Sequence, residues 1–433
     1  MRPPLVLLLC GCLLGVIAWA EPNEGAADEV LAGAAYEPFS LPAGVPLAGY
    51  SRRKGKPSTG VHDPVGVRAL VFRDGDTTAV LVSCDLLIVD ERLFDAVHRG
   101  LLDAGLPQDL VLMLAATHTH SGPGGYGQRF FEKLSMGHFD PQVFTMLVQT
   151  VVRAVGRAKT ALAPVELAYG TAQTDGLVQN RVEANGPVDP ELAVVACYRP
   201  GQREPFAVLL SFAAHPTTLG AWNRQLSADY PGVAVRELEE RLPGATALFF
   251  AGAVADQGPV KSGDGFERAE RIGLALARHA ADLLGASRPT PPGGLGAAQV
   301  RAPLPPAEVR LGRLTLPRGI GQRLVDDDAT LSVVTAGEVA FLGAPCDLSA
   351  ELGMRLKRAA QDRGLRPLLI GFASDYIGYC VPEALYRAKQ YESSMAFNGP
   401  RAGELLVNHL KDMLDQLVRG DRGQETGDRS RSR

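Results

Sequence analysis

The chain has 433 residues, of which 46% are hydrophobic and 21% charged, with a formal net charge of −4. That is apolar material for one large core or for two or three smaller ones. The near-neutral balance and the want of a long basic stripe argue against nucleic acid as the main partner.

The first 20 residues read as a signal peptide. Arg2 supplies the charged start, Leu5 to Ala18 the apolar run, and Ala18-Trp19-Ala20 a small-x-small cleavage site. The run is short for a spanning helix, and no later stretch is long and apolar enough to span. The expectation is an exported protein, periplasmic or secreted. Leu9-Cys10-Gly11-Cys12 loosely resembles a lipoprotein site, but the apolar run before it is too short, so anchoring is the lesser reading. Cys84, Cys197, Cys346 and Cys380 lie beyond the signal segment without metal-like spacing. They read as buried thiols, with a disulfide left open.

In chain order, Arg68–Phe72 and Ala79–Ser83 flank Asp74-Gly75 and predict a hairpin. Asp90 is placed to cap a helix over Glu91 to Ala104, stopped by Gly105 and Pro107. The apolar run Leu110–Ala116 predicts a buried strand. Asp140-Pro141 opens a long helix to about Lys159. Strands follow at Val165–Tyr169, Leu192–Tyr198 and Ala207–Ala214, then a helix opened by Pro231, a strand Ala247–Gly252 and a helix Phe266–Leu284. A linker at Ser287–Gly294 precedes two short strands around Gly337-Glu338. A helix from about Leu348, a strand Pro367–Phe372 and a helix Glu404–Val418 complete the pattern. This predicts an α/β fold of mixed β-sheets flanked by helices, as one large domain over residues 21–419. The charged tail 420–433 reads as disordered.

The run Thr117-His118-Thr119-His120-Ser121-Gly122-Pro123-Gly124-Gly125 follows the strand into Ala116. Alternation along an extended backbone would put both histidines on one face, and the glycines let a ligand approach. A metal or catalytic role and a structural one are evenly matched on this stretch alone. His215 likewise ends an apolar strand, and two such strand ends can converge on one metal. Asp347 reads first as the N-cap of the helix from Leu348. Tyr379 and Tyr391 lie in an aromatic, loop-like region where packing is the ordinary role. Arg181 lies in a polar loop. Asp256-Gln257-Gly258-Pro259 is another strand-to-loop junction. His62, His98, His138, His279 and His409 read as structural or surface.

These stretches together resemble the neutral ceramidase family, zinc-dependent amidases that cleave the N-acyl bond of ceramide. Gly44-Val-Pro-Leu-Ala-Gly-Tyr50, His62-Asp63-Pro64, Ser83-Cys-Asp85, the His-Thr-His run and Tyr391-Glu-Ser-Ser394 fall in the family's order. The likeness spans about residues 32 to 418. It implies Zn2+ held by His118, His215, Asp347 and Tyr379. It also implies His120 beside the reacting water, Arg181 at the acyl carboxylate and Tyr391 at the substrate carbonyl. Two positions depart from the pattern. Asp347 stands where the family has a zinc-binding glutamate, and Gly258 where it has a serine at the reacting carbonyl.

Signal segment and resemblance together give the expectation of an exported zinc amidohydrolase of a small N-acyl, lipid-like substrate, with peripheral contact to a membrane surface as a further option. Gly258 and Asp347 keep open a metal-containing binding protein without turnover. A third reading is a hydrolase of a sugar- or peptide-linked amide. An apolar groove would favour an acyl chain and a polar cleft a sugar.

Overall fold

The computed structural model describes residues 29–428, apart from 312–313, 316–320, 322–323 and 389–390. The expected signal segment and the last five residues of the expected tail lie outside these. The final helix runs Ala402–Asp428, past Gly420, where the sequence had placed the start of the tail. Among the described residues no helix is long and apolar enough to cross a membrane.

Three mixed sheets carry the fold. The first orders Val111–Ala116, Thr77–Cys84, Gly66–Asp74, Leu31–Pro38 and Ala163–Pro164. The second orders Thr246–Ala251, Pro205–Phe212, Glu191–Tyr198 and Glu166–Gln173. The third orders Leu295–Pro303, Asp328–Ala336, Val339–Gly343 and Arg366–Ile370. Each is antiparallel except for one parallel edge pair. A parallel pair needs a crossover, and each of the three is a helix: Glu91–Asp103, Asp229–Arg241 and Ala350–Gln361.

Alternate residues of the three sheets meet in a shared core. Leu81 and Met113 of the first sheet, Leu209 and Phe250 of the second, and Phe341 and Ile370 of the third belong to one buried cluster. The outer faces are covered by helices, Pro141–Thr160 with Glu91–Asp103 on the first and Gly265–Ala286 with Asp229–Arg241 on the second. The central strands are buried on both sides, which explains their continuous apolar runs. Serine hydroxyls stitch sheet to sheet. Ser83 donates to the Phe249 carbonyl at 2.5 Å, Ser211 to that of Leu369 at 2.5 Å, and Ser374 to that of Leu112 at 3.0 Å.

The hairpin and the central strands and helices lie where the sequence placed them, within a few residues. The three longest of the described elements that went unread are two strands and one helix. Leu31–Pro38 and Leu295–Pro303 are strands rich in Ala, Gly and Gln, with little intrinsic β-preference. Gly33 shows what the first gains: a Cβ there would lie 2.3 Å from the Ala158 carbonyl, so only glycine lets the long helix pack so close. The short helix Phe130–Met136 was the third.

Two expectations are corrected. Asp347 is not an N-cap: it lies in a short strand, Asp347–Leu348, paired with Tyr379–Cys380, and Ser349 caps the helix instead. The His-Thr-His run is not extended, because the strand ends at Ala116 and His118 has φ 63°. The four cysteines are buried free thiols.

Candidate metal centre

The recurring crossover decides where the site forms. Residues that follow the carboxyl ends of sheet strands converge: His118 after Val111–Ala116, His215 after Pro205–Phe212 and Asp347 after Val339–Gly343. In open α/β sheets this is where ligands bind. The left-handed turn at His118 swings its ring back against His120. The Nε2 atoms of His118 and His215 lie 2.9 Å apart, and that of His120 lies 3.2 Å from the first and 3.0 Å from the second.

The hydrogen bonds fix what those nitrogens present. His118 Nδ1 donates to the Leu87 carbonyl at 2.6 Å and His215 Nδ1 to that of Val254 at 3.4 Å. A carbonyl only accepts, so each Nδ1 carries the proton and each Nε2 a lone pair. Two lone pairs then face each other at 2.9 Å, which repels unless a cation lies between them. Asp347 Oδ1 is 3.8 Å from His118 Nε2 and 3.9 Å from His215 Nδ1, buried and without a hydrogen-bond partner. Three imidazoles and an orphaned buried carboxylate oxygen form a donor set that suits zinc.

The electrostatics agree. Burial pushes the His118 imidazole down to about 3, with Arg181 adding to the effect. Burial likewise holds His120 and His215 well below the ordinary histidine range. All three are neutral, the form that binds metal. Burial pushes Asp347 up to about 7, against the opposing pull of Arg181 and of the Tyr376 hydroxyl, which donates to Oδ2 at 2.8 Å. A divalent cation would reverse that shift.

The remaining expected residues gather around this centre. Arg181 donates to the Ala255 carbonyl at 2.9 Å and 2.6 Å, and to the Tyr379 hydroxyl at 3.0 Å. Tyr379 is therefore held by Arg181. Tyr391 stands edge-on to Tyr379, ring centroids 5.9 Å apart. His118, His120, Asp347, Tyr379 and Tyr391 all line one cavity of 440 Å³. Its other walls are largely apolar, including Leu87, Ile88, Phe131, Val325 and Phe397. Gly258 lies in the strand Gln257–Pro259, paired with Val178–Asn180 beside Arg181.

Sequence reasoning missed two contributors. Tyr376 reads as one more packing tyrosine, yet it anchors Asp347. Arg53 reads as part of the basic run Arg52–Lys56, yet it is buried. It donates to the backbone carbonyls of Ala48, His120, Gly220 and Asn223, tying three loops together behind His120. No spacing signal distinguishes it from its exposed neighbours.

Comparison with known proteins points the same way. Residues 40–264 match the family model described as neutral/alkaline non-lysosomal ceramidase, N-terminal. A neutral ceramidase from Pseudomonas aeruginosa is 25% identical over 457 residues, covering 83% of this chain and 67% of that protein. One from Mycobacterium tuberculosis is 29% identical over 221 residues, covering 47% of this chain and 34% of that protein. The crystal structure of the P. aeruginosa enzyme superposes with a TM-score of 0.80 at 23% identity, over 90% of this chain and 75% of that one. The family model takes in just over half of the sequence, and the chain belongs to the neutral/alkaline non-lysosomal ceramidase family.

Proposed function

We propose that this protein is an exported zinc-dependent hydrolase that cleaves the N-acyl bond of a lipid-like amide. The observation that carries the reading is the pair of lone-pair-bearing imidazoles, His118 and His215, facing each other beside the orphaned Asp347 oxygen at an apolar-walled cavity. Zinc bound there would polarise the amide carbonyl and lower the pKa of a water molecule to about 7.

The chain's own residues supply the rest. His118, His215 and Asp347 would hold the ion, with Tyr379 completing the set as the family resemblance implies. His120 suits proton handling. Its Nε2 lies 3.2 Å from that of His118 and 3.0 Å from that of His215, beside the place where the ion would sit. Arg181 lies within reach of the Tyr379 hydroxyl and 3.5 Å from Glu392, where its charge can orient an acyl oxygen. Tyr391 covers the open side. The apolar walls favour an acyl chain over a sugar.

The test is metal content together with turnover. Purified protein should carry about one zinc and release fatty acid from N-acyl lipids, and His118→Ala should lose both. Undiminished hydrolysis by metal-stripped protein would sink the reading. Gly258 favours one rival, a metal-containing binding protein without turnover. Zinc-loaded protein that binds N-acyl lipids and hydrolyses none of an amide and ester panel would establish that rival.

A further inference from the structure

The helix Phe130–Met136 forms one wall of the cavity, and its faces divide by environment. Glu132 and Met136 are buried, and Phe131, Glu132, Leu134 and Ser135 line the cavity. Phe130, Lys133 and Leu134 are spaced to form one solvent-facing stripe, which Leu134 joins to the cavity rim. Phe130 is 63% exposed and Leu134 55%. Two large apolar side chains on a seven-residue helix thus leave more than half of their surface to solvent, although Phe130 stands edge-on to Phe131 with ring centroids 5.4 Å apart. Across the mouth Tyr391 is 61% exposed.

A basic loop lies against the same helix. Gly49 donates its backbone N–H to the Ser135 carbonyl at 3.1 Å, and Gly55 packs on Gly137 at the helix end. Arg52 and Lys54 between them and Lys56 just beyond are exposed, while Arg53 is buried. Of the carboxylates that line the cavity, Asp326 is paired with Arg129, and buried Glu132 accepts from the Arg129 backbone N–H. The mouth therefore presents apolar side chains flanked by positive charge that forms no ion pair among the described residues, the pattern of an interfacial lipid-binding segment.

We infer that this face, the outer stripe of Phe130–Met136 with the loop Arg52–Lys56, docks the protein on an anionic phospholipid bilayer. The stripe is continuous with the cavity wall. Docking would set the mouth against the membrane, so that an N-acyl lipid enters without crossing bulk water. The inference rests on the proposed lipid-like substrate, but it can fail or stand separately from it.

The test uses the mature full chain and flotation with vesicles of phosphatidylcholine alone or mixed with phosphatidylglycerol. Binding should require phosphatidylglycerol and weaken as salt rises. Phe130→Ser should weaken it by about tenfold or more. Lys56→Glu with Lys133→Glu should weaken it at least about tenfold, from roughly fivefold per charge lost. Both variants should hydrolyse a short, water-soluble N-acyl amide at the wild-type rate, which shows that they fold. Equal binding to neutral vesicles, or vesicle binding unchanged in both variants, overturns the inference. So does active protein that floats with neither vesicle. Protein that binds anionic vesicles through these residues yet hydrolyses nothing upholds the surface and overturns the hydrolase reading instead.

Discussion

Gly258 pairs with Gln179 across a two-strand ladder, and its backbone is not in the left-handed region. A Cβ there would lie 3.5 Å from Arg181 Cβ and 3.6 Å from its Cδ, ordinary van der Waals contact. The site therefore has room for a serine. Gly258→Ser should fold as wild type and raise kcat on a short N-acyl amide by at least about tenfold, since a lost oxyanion donor typically costs about 10²–10³. An unchanged kcat would show that the hydroxyl is not needed in this chain. Gly49 is the opposite case. Its φ is +105°, and a Cβ would come within 2.7 Å of the His120 ring, so glycine is required twice over.

The crossovers explain how single side chains serve more than one element. Asp85 follows the strand Thr77–Cys84. Its Oδ2 accepts from the Gly66 N–H at 2.9 Å and lies 3.6 Å from Arg68, which also pairs with Glu239 of the second sheet's helix. Burial pushes Asp85 up to about 6, with Arg68 opposing. The folded state then binds more protons than the unfolded one between about pH 4 and pH 6. Stability from this group falls as pH rises through that window and is flat above it. Asp85→Asn lacks that slope. Its stability relative to wild type should improve by up to about 3 kcal/mol from pH 4 to pH 6 and then level off. Urea titrations at pH 4, 5, 6 and 7 measure this, and parallel wild-type and variant curves would refute it.

Legibility followed the same physics. The strands into His118 and His215 were readable because burial on both faces writes a continuous apolar run. The helix at Glu91 was readable from Asp90, which accepts from the Leu93 N–H at 2.9 Å. Leu31–Pro38 was not, because Ala and Gly there serve close packing and carry no strand preference. Convergence of His118 with His215, 97 residues apart, lies in no local pattern: two apolar strands each ending in a histidine made it an open option, and the family resemblance paired them. Asp347 misled because a carboxylate before a helix usually caps it, whereas Ser349 had already taken that place.

At the scale of the molecule, the candidate ligands come from three different sheets that share one core. An ion bound there favours the folded state alone, by about 4 kcal/mol when free metal is a thousandfold above its dissociation constant. Chelation should therefore lower the melting temperature of wild type and leave His118→Ala unmoved, as read by scanning calorimetry. Equal melting of chelated and loaded wild type would deny the linkage. The threefold origin of the donors also makes occupancy a checksum on the whole polypeptide. A nicked or half-finished chain that loses one sheet loses at least one of His118, His215 and Asp347, and with it the complete donor set. A metal indicator would then report on the integrity of all three sheets without any substrate.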